Sequence, residues 1–356
     1  MPKVMLGMSG GVDSSAAAKI LLDKGYDVTG VTIKMFSPGD IIGNEKDMKT
    51  AKGDTEDAIA VAGKLGIEHM VLDFSDEFRK YVMNDFIQCY LDGKTPNPCI
   101  ECNKHIKFGK MLEIAEEMGF DYIATGHYAF NEYDEEKKRY ILRRPADRSK
   151  DQTYVLYNLT QYQLSKIIFP LSTYEKSKVR AQAQLAGLEN ADKPDSQDIC
   201  FVPDGSYGEF INKNCSETIE EGNFTDTCGN ILGRHKGIIH YTVGQRKGLG
   251  IALGKPAFVI SKDAGSNTVV LGDNDMLFSS ELVASDVNFI SSDFPTEPMK
   301  VTAKARYNQK DEPAVIYPLS DGRVRVVFES PQRAVTPGQS VVFYDGDIVV
   351  GGGKIV

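Results

Sequence analysis

Two periodicities alternate along the first half of the chain. Lys3-Val4-Met5-Leu6-Gly7-Met8 is a short, nearly continuous apolar run, the pattern of a strand buried on both faces. Ser9-Gly10-Gly11-Val12-Asp13-Ser14 follows as a tight turn, and Ser15 to Leu22 reads as a helix stopped by Gly25. Tyr26 to Phe36 is a second strand, and Ser37 to Gly53, polar and without period, is a loop. Asp54 caps a helix whose apolar positions Ala58, Val61, Ala62 and Leu65 recur at helical spacing, with Gly66 at its end. Glu68 to Asp73 is a third strand, and Asp76 to Leu91 is helical, with Phe78, Val82, Phe86 and Tyr90 on one face. Thr95-Pro96-Asn97-Pro98 breaks the chain, a helix runs from about Asn103 to Met118, and Asp121 to Thr125 is a fourth strand. This alternation predicts an α/β fold, a doubly wound parallel sheet, whose ligands gather at the carboxyl ends of the strands. Ser9 to Ser14, Met35 and Gly126-His127 fall at those ends.

Beyond Tyr128 the order loosens. Glu132 to Lys138 reads as a charged hairpin tip, Ser172-Thr173-Tyr174-Glu175 has the spacing of a capping box opening a helix to Gly187, and Ser196 to Val202 reads as extended. From about Gly205 the helical period fades, and short β runs alternate with glycine turns. Val341 to Tyr344, Asp345-Gly346 and Asp347 to Val350 form a hairpin signal. The expected domains are an α/β domain over 1–205, a small, mostly β central domain over 206–280 and a β-barrel-like domain over 281–356.

Composition changes this picture in three respects. No apolar run is long enough to span a membrane and no apolar signal region opens the chain, so the expected location is cytoplasmic, with no membrane partner. A net charge of −9 argues against a nucleic-acid partner unless local basic patches meet it. The six cysteines, Cys89, Cys99, Cys102, Cys200, Cys215 and Cys228, are too few for a disulfide framework in a cytosolic chain of 356 residues. Cys89, in a helical pattern with Phe86 and Tyr90, reads as a small buried hydrophobe.

A strand feeding a glycine-rich turn and a helix N-terminus is an anion site, because free backbone N–H groups and the helix dipole point at the ligand. Gly10 and Gly11 let the backbone approach a phosphate, and Ser9 and Ser14 add hydroxyl donors. No Gly-Lys-Ser/Thr follows, and Gly-x-Gly-x-x-Gly is absent, so neither a Walker loop nor a dinucleotide loop is present. The hexapeptide Ser9–Ser14 resembles the PP-loop of ATP pyrophosphatases, which split ATP between the α and β phosphates. A second constellation is Cys99 and Cys102, between the proline break and a helix start, where the helix dipole and Lys104, His105 and Lys107 are expected to depress a thiol pKa. A zinc site needs two further ligands at short spacing, a thioredoxin-type dithiol lacks its usual surroundings, and a core pair sits poorly beside two prolines. The remaining reading is a reactive thiol with a partner elsewhere, for which Cys200 is the candidate.

Taken together, these stretches resemble the tRNA-specific 2-thiouridylase family from one terminus to the other. The resemblance is carried by Gly7–Ser14, Thr95–Pro98, Cys102-Asn103-Lys104, Ile106-Lys107-Phe108, Ala124–Ala129, Lys150-Asp151-Gln152, Ser196–Phe201, Gly244–Gly250, Arg306-Tyr307, Arg333–Gln339 and Tyr344–Asp347. It implies that ATP binds at Gly7, Met8, Ser9, Gly10, Gly11, Val12, Asp13 and Ser14, with Mg²⁺ and with Met35 and Gly126 near the adenine. It implies further that the carbon-2 oxygen of the wobble uridine, position 34, attacks the α-phosphate, and that sulfur from a Cys200 persulfide displaces AMP with the help of Cys102. Asp13 joins the catalytic set. Asn97, Pro98 and Cys99 would face the target base, and His127, Lys150, Asp151, Gln152, Arg306, Tyr307 and Gln339 the tRNA. Arg143, Arg144, Arg148, Arg246 and Lys247 offer further phosphate contacts. Both β domains are thereby expected to touch tRNA, with lysine, glutamate and glutamine acceptors as substrates and a persulfide protein as sulfur donor. Cys99 stands where many members of the family carry Asp, so Cys99, Cys102 and Cys200 together form an alternative, ligands to a 4Fe–4S cluster. Rival readings are a PP-loop ligase or amidotransferase acting on an adenylated small molecule, and a non-catalytic RNA-binding or iron–sulfur protein.

Overall fold

The computed structural model of the chain describes residues 1–37, 40, 45–185, 199–202 and 205–356, without the side chains of 45–52 and 185. The chain divides into two compact units: Met1–Val82 with Cys99–Gly205 and Asp347–Val349, and Met83–Pro98 with Ser206–Gly346 and Val350–Val356.

The first unit is built on a parallel sheet of β1 (Lys3–Gly7), β2 (Asp27–Lys34), β3 (Glu68–Asp73), β4 (Tyr122–Thr125) and β7 (Ile167–Ile168), in the order β3-β2-β1-β4-β7. A hairpin of β5 (Phe130–Asp134) and β6 (Arg139–Arg143) stands beside it. Val4, Met5 and Leu6 of the central strand are fully buried, which is why this segment carries no polar alternation. The first helix, Val12–Asp23, covers the sheet with Ala16, Ala17, Ile20 and Leu21. Gly7 of β1 is in register with Thr125 of β4, so the chain leaves both strands at one edge of the sheet.

Three elements differ from the sequence reading. The helix expected to start at Asp54 spans Glu45–Leu65, so most of the expected loop 37–53 is helical. Residues 45–52 have no apolar period to detect, but Glu, Lys, Met and Ala are good helix formers and extend a helix already nucleated downstream. The helix expected at Asn103 begins at Pro98, a first-turn position that suits a residue without an N–H, and continues through a π-helical stretch, Cys102–Lys110, into Met111–Glu117. The capping box forms at Thr160 and Gln163, opening Gln161–Lys166, whereas the helix after Ser172 starts only at Lys176. The expected end of that helix at Gly187 and the extended segment from Ser196 to Asp198 lie outside the described residues.

The second unit is mostly β. Its central sheet joins β8 (Gly222–Thr225), β9 (Ile231–His235), β10 (Phe258–Asp263) and β11 (Thr268–Gly272) in the order β10-β11-β8-β9. The last domain comprises β12 (Phe278–Phe289), β13 (Met299–Lys304), β14 (Glu312–Pro318), β15 (Val324–Arg333), β16 (Ser340–Asp345) and β17 (Ile348–Ile355). Pairing of β12 with β17 closes these six strands into a barrel around Ile316, Val326, Val341 and Phe343. Met83–Pro98, which includes the helix Asn84–Leu91, packs in this unit: Phe86 lies 5.9 Å from Tyr207 and 6.0 Å from Phe210, ring to ring. Cys89 is buried there, as its pattern predicts.

Leu6 sits at the centre of the parallel sheet with no exposed surface. Leu6→Ala is therefore expected to destabilise the first unit by about 2–5 kcal/mol, read as a lower urea midpoint of the transition reported by that unit.

Candidate active site

The turn after β1 is shaped by its glycines. Gly10 has a φ of +70°, and a β-carbon there would lie 2.1 Å from the Asp54 carbonyl oxygen, so no other residue fits. Gly11 is the N-cap of the first helix in extended geometry, and no side chain caps the turn that follows. Ser14 donates its hydroxyl to the Gly11 carbonyl at 3.1 Å and accepts the Ser9 N–H at 3.2 Å, and Ser15 donates to the same carbonyl at 2.9 Å. These bonds set the turn while leaving the first-turn amides without a side-chain cap, which is the arrangement that accepts an anion.

Asp13 projects from that first turn. Lys176 Nζ donates to its two carboxylate oxygens at 2.8 and 2.7 Å, and the Tyr128 hydroxyl donates at 2.9 Å. Lys176 is buried and opens its own helix, where its backbone N–H donates to Asp147 at 3.0 Å. Sequence reasoning did not single out Lys176, and it included Tyr128 in the Ala124–Ala129 motif without giving it a role. A lysine buried at a helix start is a weak signal, because its partner is remote in sequence. Tyr128 is held in turn by Gln152, which accepts the Tyr128 N–H at 2.8 Å.

A run of contacts leads from the loop toward the cysteines. Gly126 lies so close to the first helix that a β-carbon would meet Ser14 N at 2.9 Å and the Asp13 carbonyl carbon at 3.0 Å. His127, next along the chain, is buried between Phe108 and Phe169, with ring centroids at 5.6 and 6.5 Å, and pairs through Nδ1 with Thr125 at 2.8 Å. Burial and the Lys107 charge hold its pKa well below the usual imidazole value, so His127 is neutral. Lys107 acts as well on Cys99, Cys102 and Cys200. Lys107 and Cys102 lie in the same π-helical stretch. Gly109 suits the same winding, since a β-carbon there would lie 2.8 Å from the Lys104 carbonyl oxygen.

Cys102 is buried, and Cys99 and Cys200 reach the surface. Cys200 is tethered by its neighbour Phe201, whose buried ring meets Phe78 edge-on at 5.6 Å. The thiols do not have the depressed pKa expected from the helix start. Burial pushes Cys102 up to about 11, opposed only in part by Lys107. Cys200 is raised to about 12, first by the protein packed around it and then by the neighbouring Cys102 and Cys99, and Cys99 is raised by the same crowding. Desolvation outweighs the dipole because the chain is already helical from Pro98, which places Cys102 inside the helix rather than at its free end. Among the described residues no three His, Cys, Asp or Glu side chains are gathered closely enough to hold a metal ion.

The other expected tRNA contacts are mostly engaged with the protein. Asp151 accepts from Thr153 at 2.9 and 2.6 Å and pairs with Arg144 at 3.6 Å. Arg143 pairs with Glu132 at 2.7 Å, and Arg148 pairs with Asp347. Arg306 donates to Ala334 O at 2.8 Å, Thr336 Oγ1 at 2.6 Å and Val243 O at 3.3 Å. Gln339 donates to Thr95 O at 2.8 Å and Pro96 O at 3.1 Å. Tyr307 is exposed, and Met35 and Lys150 are half-buried. No helix among the described residues is long and apolar enough to cross a membrane.

The parallel sheet, the uncapped loop at its carboxyl edge and the β domains that follow define a HUP-type nucleotide-binding domain joined to two barrel-class domains. Residues 2–204 match the model of the tRNA methyl transferase HUP domain, 208–273 that of the tRNA methyl transferase PRC-barrel domain and 279–355 that of the aminomethyltransferase beta-barrel domain. A tRNA-specific 2-thiouridylase of Acetivibrio thermocellus is 58% identical over 99% of both chains, and one of Clostridioides difficile is 54% identical over 99% of this chain and 98% of its own. The chain belongs to the tRNA-specific 2-thiouridylase family.

The raised thiols give a direct expectation. In the ligand-free protein, alkylation of buried Cys102 by iodoacetamide at pH 7.5 should be roughly a hundredfold slower than that of an ordinary free cysteine, and should climb with pH up to at least pH 10. Peptide mass spectrometry reads the site, and a plateau near pH 7 contradicts the burial argument.

Proposed function

We propose that this chain catalyses ATP-dependent 2-thiolation of the wobble uridine of tRNA. The supporting observation is an uncapped phosphate-type loop, linked by the Gly126–His127–Phe108 contacts to Cys102 and Cys200, in a chain alike over nearly its whole length to proteins named for this reaction. ATP binds with its phosphates on the Ser9–Ser14 backbone and its adenine toward Met35 and Gly126. Asp13, the acidic residue of that first turn, is the residue that would meet Mg²⁺, and the ion would supply positive charge to the triphosphate. Lys176, buried at 2.7 Å from Asp13, supplies positive charge where pyrophosphate departs.

The chemistry runs in two steps. The carbon-2 oxygen of the uridine attacks the α-phosphorus, the bond to the β-phosphate oxygen breaks, and pyrophosphate leaves. Sulfur then reaches carbon 2 by one of two routes: the terminal persulfide sulfur attacks carbon 2, AMP departs with the oxygen, and the Cys102 thiolate attacks the Cys200 Sγ to break the S–S bond and free the thiouridine, or the Cys102 thiolate attacks Cys200 Sγ first and the sulfide it releases displaces AMP. Both routes end with a Cys102–Cys200 disulfide, which a dithiol reductant returns to two thiols before a persulfide protein reloads Cys200. Lys107 offsets the negative charge on the reacting sulfurs. The rest of the reading is a cytoplasmic enzyme acting on lysine, glutamate and glutamine tRNAs. Its expected domains, 1–205, 206–280 and 281–356, divide the ATP chemistry from two tRNA-binding surfaces.

Three expectations follow. Cys102→Ser and Cys200→Ser should each reduce thiolation of unmodified tRNA by about a thousandfold or more while tRNA-dependent pyrophosphate release persists, read on a mercury-containing gel and by a pyrophosphate assay. Wild-type protein free of iron should thiolate given a persulfide source, and a strict requirement for bound iron and sulfide would sink the persulfide route. Lys176→Met should lower pyrophosphate release at least about tenfold with tRNA affinity unchanged.

A further inference from the structure

The segment Lys94–Pro98 is held by the barrel in an unusual way. Thr95 donates its N–H to Pro337 O at 2.9 Å, and the Gln339 side-chain amide donates back to Thr95 O at 2.8 Å and Pro96 O at 3.1 Å. Between these two residues Gly338 has a φ of +89°, and a β-carbon there would lie 2.9 Å from Lys94 Cβ and 3.0 Å from Thr95 N. The approach is therefore backbone to backbone. Gln339 has a rigid base, since Ile355 N–H donates to its carbonyl at 2.8 Å and Gly338 N–H donates to Ile355 O at 2.9 Å. From the central sheet, Lys262 Nζ donates to Tyr241 O at 2.8 Å and reaches Lys94 O at 3.4 Å, over the Tyr90 ring at 5.5 Å.

The strap is stiff in its own right. Pro96 and Pro98 have fixed φ, and Thr95 and Asn97 are each held extended by the proline that follows. A displacement at Thr95 or Pro96 therefore carries through to Asn97. An amide that spends both of its donor bonds on the strap's carbonyls is poorly set to read an RNA.

We propose that Gln339 is a positioning residue. Its amide, mounted on the barrel, fixes the Thr95–Pro98 strap and so the place of Asn97, which presents the target uridine. The role rests on the thiouridylase reading above. It assigns to the C-terminal barrel a part in the chemical step rather than in tRNA affinity alone.

The test uses the full-length protein with Gln339→Ala, Gln339→Lys and Gly338→Ala. Gln339→Ala should lower single-turnover thiolation at saturating tRNA about tenfold, with the Kd for tRNA and for ATP changed less than about twofold. In the free protein, hydrogen exchange at the Thr95 amide should quicken. Gln339→Lys keeps N–H donors on the same carbonyls and should restore the rate. Gly338→Ala, which forces the strap away without touching the amide, should reproduce the loss. A tRNA Kd weakened about tenfold with Thr95 exchange unchanged would overturn the proposal in favour of a direct RNA contact. Quicker exchange with an unchanged rate would overturn it in favour of a purely structural bond. Wild-type protein that thiolates no tRNA would instead overturn the enzymatic reading, and exchange at Thr95 would still report whether Gln339 holds the strap.

Discussion

The constraint on which the rest of the first unit depends is the bare first turn of the helix Val12–Asp23. Four backbone N–H groups at a helix start need acceptors, and here Gly11 provides no side-chain cap. Val4, Met5 and Leu6 of the strand before the turn are fully buried, and Gly10 and Gly126 admit backbone on either side where a β-carbon would not fit. The result is a helix start held in place with its first-turn amides free of a side-chain cap, an arrangement that suits an anion. Asp13 in that same turn would repel the anion if left alone. The buried Lys176 and the Tyr128 hydroxyl neutralise it, and Gln152 and Asp147 hold those two residues in turn.

The sulfur chemistry is governed by the opposite condition. Burial makes Cys102 a poor thiolate, which keeps it protonated in the ligand-free protein. Lys107, in the same π-helical stretch as Cys102, acts electrostatically on all three sulfurs and on neutral His127.

The parallel sheet and the phosphate loop were legible because their signals are local. An apolar run, a glycine pair and a helix period sit within the first residues of the chain, and the structure keeps them together. The helix over Glu45–Leu65 was legible only in its second half, since the first half carries helix-forming residues with no apolar face to betray it. Cys89 was legible as core. The pKa of Cys102 was not, because a dipole argument depends on where the helix starts, and proline at its first position looks from sequence like a break. The roles of Lys176 and Tyr128 were invisible for a different reason: what makes them matter is Asp13, more than a hundred residues away in each case.

The same reasoning separates residues that hold the protein from residues left over for a polyanion. Arg143, Arg144 and Arg148 face Glu132, Asp151 and Asp347, and Arg306 is spent on backbone carbonyls and a threonine. In a chain of net charge −9, cations bound in this way add little to long-range attraction for RNA. Affinity for a tRNA would then fall to cations outside such pairs, such as Arg246 and Lys247 on the glycine-rich loop of the central domain. The motif residues around the catalytic segment act by geometry instead. That division gives a motif residue such as Gln339 a second meaning: a side chain fixed by RNA recognition and one fixed by the shape of a strap are indistinguishable in a sequence, and only the direction of its two hydrogen bonds tells them apart.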